Sequence, residues 1–131
     1  MMKSISKLIV AGMVASGSFL VGQSVLAHHS TVGQISSEVT EITGTVKEFQ
    51  FKNPHSWIQV DVTGDDGAVV EWSVEWTNPN NLLRQGHGPN TFPAGAEVTI
   101  KLRQHFSGKP LGEFNAARFA DGTTVGNWSG A

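Results

Sequence analysis

From Glu41 onward the chain alternates apolar and polar residues in short runs, and a period of two commits it to β-structure. Ile42, Gly44 and Val46 fall on one face of a first strand, after which Phe49 and Phe51 take up the opposite parity. A parity switch inside one run requires a bulge or a sharp bend. Asn53-Pro54 then makes a turn, because Pro fixes its own φ and holds its predecessor extended. The second strand, His55 to Val62, sends Ile58, Val60 and Val62 to one side and His55, Trp57, Gln59 and Asp61 to the other. After the turn Gly64-Asp65-Asp66-Gly67, a third strand points Val70, Trp72, Val74 and Trp76 inward and Glu71, Ser73 and Glu75 outward.

Asn78-Pro79 opens a short helix, Asn as cap and Pro in the first turn, with Leu82 and Leu83 as apolar contacts and Gly86 as its stop. Val98, Ile100 and Leu102 mark a fourth strand, about Phe114 to Phe119 a fifth, and the region near Val125 a last short strand or tail. This order predicts a mainly β fold: a small five-stranded, OB-like, partly open barrel with one short helix between strands 3 and 4. A small sandwich is the alternative.

Residues 1–27 have the three parts of a secretory leader. Lys3 and Lys7 give a positive start, Leu8 to Gly22 is an uncharged apolar stretch, and Val25-Leu26-Ala27 offers a cleavage site. The apolar stretch is short for a bilayer span and is interrupted by Gly12, Ser16 and Gly17. The expectation is a cleaved signal peptide, a polar N-terminal arm over 28–40, and one OB-like β-barrel domain over 41–131. A periplasmic or secreted bacterial protein follows, not membrane-embedded after cleavage. The chain from His28 on carries seven basic against eleven acidic side chains. That sign argues against nucleic acid, whose binding requires phosphate neutralisation by Lys and Arg. There is no cysteine, so neither a disulfide framework nor a lipid-anchored cysteine is available.

If strands two and three form a hairpin, outward residues face outward residues. One register pairs His55 with Glu75 and Trp57 with Ser73; the next pairs Trp57 with Glu75. Under either, His55, Trp57 and Glu75 gather on the outer face at the end away from the hairpin turn. Cleavage after Ala27 would expose a terminal amine on His28, and that amine with the His28 imidazole forms a chelate ring. A remote histidine adds a third nitrogen, and such a nitrogen-rich set suits Cu(II). His55, His87 and His105 are candidates for the remote ligand; His29 is a ligand or a neighbour. Glu75 is a ligand or the acceptor that orients the His55 ring. Metal sites of this kind weaken as pH falls, because the amine and imidazoles must lose their protons.

Each of these residues also has an ordinary reading. A His-His start is a solvated tail, His55 caps the turn after Pro54, and Trp57 packs beneath the arm. The histidine spacing matches no specific metal motif. No nucleophile elbow, phosphate loop or HExxH is present, and Asp65-Asp66 lack the further ligands of a calcium loop. An enzyme is not expected.

Gly44-Thr45-Val46 and Asn53-Pro54-His55-Ser56-Trp57-Ile58 resemble a family of small secreted bacterial proteins classed as a domain of unknown function. The resemblance continues through Trp72, Glu75, Asn80, Leu82-Leu83-Arg84, Gly86, Gly95 and Asp121-Gly122, and includes the Ala-His-His-Ser junction. His87 stands where the family carries a Trp. The resemblance implies export and a barrel-like β domain and leaves the ligand open. Arg84 on the helix is expected to join the surface of His55, Trp57 and Glu75, and to pair with a carboxylate such as Glu75. The function expected is a non-enzymatic periplasmic binding or accessory module, with copper as the sharper form. The alternative is a protein–protein accessory domain docking on an envelope or redox enzyme, with Trp57 as its anchor.

Overall fold

A computed structural model describes residues 34–130. The expected leader, His28, His29 and the rest of the arm up to residue 33 lie outside the described residues. Six strands and one short helix follow in order: β1 (Ile35–Gln50), β2 (Trp57–Thr63), β3 (Val69–Glu75), α1 (Pro79–Arg84), β4 (Glu97–His105), β5 (Leu111–Phe119) and β6 (Thr124–Gly126). The fold is mainly β, with the helix between the third and fourth strands as its sequence pattern predicts.

Five strands form a ring. β1 pairs antiparallel with both β2 and β4, β2 with β3, and β4 with β5. The ring closes where β3 meets β5 in parallel, through Ser73↔Leu111, Val74↔Gly112 and Glu75↔Glu113. β6 adds to the later part of β5. One strand serves two neighbours because β1 is long and bent. Its first part lies on β4, its last part on β2, and the register against β2 slips between Val46 and Glu48. That bulge sits where the parity of the apolar residues changes, so Val46 and Phe49 both turn toward the core.

Gly44 lies at the crossover of β1 from β4 to β2. A Cβ there would stand 2.2 Å from the Asp61 carbonyl oxygen. Only glycine allows the two backbones so close.

The core is one cluster that includes Ile42, Val46, Ile58, Val60, Val74, Ile100 and Leu102. Phe92, from the Pro- and Gly-rich loop before β4, plugs it. Its ring lies 5.4–6.0 Å from those of Phe49, Trp76, Phe114 and Phe119. In α1 the Asn78 side chain accepts from the Asn81 N–H at 3.0 Å, Pro79 occupies the first turn, and Gly86 leaves it at φ +84°. Leu82 is fully buried.

Four expectations need correction. β1 starts at Ile35, so residues 35–40 are not a loose arm but extend the strand along β4. Leu83 is exposed, because a helix this short turns only one apolar side chain under itself. Val70 is also exposed, since it lies near the β2–β3 turn beyond the reach of β5. β5 begins at Leu111, ahead of the expected Phe114, because its early residues form the ring closure.

Candidate functional site at the ring seam

The β2–β3 hairpin takes the second of the two registers that alternation allows, with Trp57 opposite Glu75 and Gln59 opposite Ser73. Beyond the strand ends, the Trp76 N–H donates to the Ser56 carbonyl at 2.8 Å and the Ser56 N–H to Thr77 at 3.1 Å. These bonds hold the loop after Asn53-Pro54, a cis peptide, against the end of β3. His55 is thereby diagonal to Glu75 on the same face, a separation that a long side chain spans. The His55 Nδ1–H donates to the Glu75 carboxylate Oε1. The imidazole is half exposed and the carboxylate mostly covered.

Ring closure brings a second carboxylate. Glu113 stands directly beside Glu75 across the parallel pairing, and Arg103 of β4 donates from Nη2 to Glu113 Oε2 at 2.9 Å. The outer face at this level thus carries a row: His55, Glu75, Glu113, Arg103. Glu75, Glu113 and His55 line a cleft of about 240 Å³ with Trp76, Thr77 and Phe114. The rings of Trp76 and Phe114 lie 4.4 Å apart, and both residues pack against the core. Trp57 is half-buried beside it, between Gln50 of β1 and Glu75.

The structure therefore gathers His55, Trp57 and Glu75, as their alternation predicts. It does not add Arg84, which is exposed and makes no ion pair among the described residues. Glu75 has His55 as its partner instead, so the expected Arg84–Glu75 pairing is absent. His87 packs its ring 5.2 Å from that of Trp76. His105 ends β4 opposite Ile35. Among the described residues no three His, Cys, Asp or Glu side chains are close enough together to hold a metal ion. Glu113, Thr77 and Phe114 were not legible as site residues, because a parallel closure between distant strands leaves no local signal.

Two features lie apart from the seam. Trp128, after β6, lies under the Lys101 ammonium and the Arg118 guanidinium, each 4.6 Å from its ring. Lys101 also donates to the Trp128 carbonyl at 3.0 Å, which ties the turn after β6 to β4. Asp121 accepts from both the hydroxyl and the N–H of Thr123, and these bonds, the hydroxyl's first, hold its carboxyl below the usual carboxylate range. At the bulge, the bond and charge of Glu71 raise the Lys47 ammonium above its ordinary value.

A five-strand ring with a polar cleft on its seam defines a small mainly β domain with one outward-facing candidate site. The chain matches a family of unknown function, DUF6152, over residues 17–114, and it belongs to that family. No curated protein and no solved structure matches it. Among the described residues no helix is long and apolar enough to cross a membrane.

Proposed function

We propose that this chain is a non-enzymatic binding module of the bacterial periplasm, with the seam face around His55, Trp57 and Glu75 as its working surface. In its sharper form the module binds Cu(II), through the amine and imidazole of His28 after cleavage and the Nε2 of His55. The observation that supports this most is the His55–Glu75 hydrogen bond. A carboxylate that accepts from Nδ1 fixes the ring and presents Nε2, the usual second partner of a metal-bound histidine.

Chain length is compatible with this ligand set. His28 precedes Ile35 by seven positions, roughly 24 Å of extended chain. Ile35 lies about three strand spacings around the ring from Glu75 and four residues along β1 from Val39, which stands opposite Arg103. Those displacements combine to roughly 20 Å.

The test is Cu(II) titration of the chain beginning at His28, beside a copy with one extra residue before it and a His55→Ala copy. Tight binding lost in both altered copies is the expected result. Equal binding in all three would remove the copper site.

A second reading, docking on an envelope or redox protein, is favoured by Trp57, a large ring left half-covered on an otherwise polar face. Partner capture that survives changes at His28 but is lost in Trp57→Ala would select it.

A further inference from the structure

We propose that the turn after β6 is a strap with two positions, because Trp128 holds Arg118 and Lys101 off carboxylates that lie within their reach. The inference concerns the outer face of β4 and β5 and rests on neither the copper nor the docking reading.

The closed position is the one the structure shows. The Arg118 guanidinium and the Lys101 ammonium both lie against the half-buried Trp128 ring, and Lys101 also holds the Trp128 carbonyl. A cation over an indole face is attracted by the ring's quadrupole, the more so where water is partly excluded. Gly126 leads into the turn at φ +76°, and a Cβ there would stand 2.8 Å from the Asn115 carbonyl oxygen. Glycine thus lets the strap lie close on β5.

The second position follows from register. Thr99 pairs with Arg118, and Glu97, two residues before Thr99, points to the same face. Glu97 and Arg118 are therefore diagonal neighbours on adjacent strands, a separation that two long side chains span. Opposite charges so placed can pair, yet among the described residues neither makes an ion pair. Lys101 repeats the pattern. It stands directly opposite Glu41 of β1, and its ammonium stops 4.0 Å from the carboxylate, beyond hydrogen-bond distance. Trp128 is the group that both cations touch instead.

Opening is then an exchange of partners. As Trp128 lifts, Arg118 closes on Glu97 and Lys101 on Glu41, and these contacts offset part of the lost attraction to the ring. The strap also holds little else in place. β6 has three residues and meets β5 only at Ala116, Ala117 and Arg118. Arg118 serves both contacts, as the rung opposite Thr124 and as a cation on Trp128, so strand and strap release together. Release bares that stretch of the β5 edge and frees the Trp128 ring.

The experiment uses the 15N-labelled chain beginning at His28 and reads amide exchange in β6 and the side-chain Nε–H of Arg118. Glu97→Gln removes the alternative partner and should slow β6 exchange about two- to fivefold. Asp65→Asn makes the same change of charge in the β2–β3 turn and should leave it unchanged. Added salt screens the ion pairs of the open position, so it should slow β6 exchange in the native chain and do less in Glu97→Gln. In Trp128→Ala the Arg118 Nε–H should shift when Glu97→Gln is added, whereas with Trp128 in place it should barely move.

β6 exchange that is equal in the native, Glu97→Gln and Asp65→Asn chains would overturn the proposal. So would an Arg118 signal that Glu97→Gln moves equally, or not at all, with and without Trp128, because the ring and the carboxylate would then not compete.

Discussion

His55 and Glu75, twenty residues apart, share a hydrogen bond that fixes which imidazole nitrogen carries the proton. With Glu75 accepting at Nδ1, neutral His55 is the Nδ1–H tautomer. Glu75→Ala should convert it largely to the Nε2–H form, which 15N shifts of the ring report directly. Unchanged ring shifts would show that the carboxylate does not orient the ring. If His55 ligates copper, the same substitution should weaken Cu(II) binding by roughly 10–100-fold.

Gly44 and Gly112 both lie where a neighbouring strand's backbone leaves no room for a side chain. A Cβ at Gly112 would stand 2.6 Å from the Arg103 carbonyl oxygen, as one at Gly44 meets Asp61. Neither backbone can move without breaking pairing. Gly44→Ala and Gly112→Ala should each destabilise by about 1–3 kcal/mol or more, measured by urea unfolding. Gly88→Ala, where a Cβ meets nothing within 4 Å, is the control and should change little.

Phe92 should be the costliest aromatic to lose. It is 1% exposed and touches rings from β1, β5 and the segment after β3. Phe92→Ala should cost about 3–5 kcal/mol in the same measurement, through lost burial and the cavity left behind.

Ser56 presents the opposite case. Its hydroxyl is fully buried, with no hydrogen-bond partner among the described residues. An unpaired buried hydroxyl costs about 1–3 kcal/mol on mutational scales. Ser56→Ala should therefore raise the unfolding midpoint, by the equivalent of about 1 kcal/mol, with the seam cleft intact. A lowered midpoint would mean that the hydroxyl has a partner in solution.

Asp121 makes a pH prediction. Its carboxyl lies below the usual range because Thr123 donates to the ionised form. A depressed folded value gives a contribution that is fully present above the ordinary carboxylate range and is lost as pH falls through the depressed value. The Thr123 amide resonance should follow that acidic titration in the native chain and lose it in Asp121→Asn.

Much of this architecture was legible from residue spacing. The alternation of Ile58-Gln59-Val60 and its neighbours gave β2, and the parity change between Val46 and Phe49 marked the bulge. Asn78-Pro79 and Gly86 bounded the helix, because caps act through local backbone geometry. Half of the site was legible for the same reason: hairpin parity requires His55, Trp57 and Glu75 to share a face. What escaped is non-local. Residues 35–40 have no clean alternation, and their pairing partner lies some sixty residues away on β4. Phe92 sits in a loop whose composition signals a surface turn, yet tertiary packing draws it into the core. Glu113 joins Glu75 only because β3 and β5 close in parallel, and neither strand's pattern names the other.

That closure consists of three residue pairs, whereas β1 and β4 share eight. Glu75 and Glu113 occupy its last rung, one on each side. Among the ring's pairings this joint has the fewest rungs, so it has the fewest backbone bonds to break when the ring opens locally. The cleft lined by Glu75 and Glu113 is thus built on the part of the ring that parts most easily, and its shape lasts only as long as those three rungs hold.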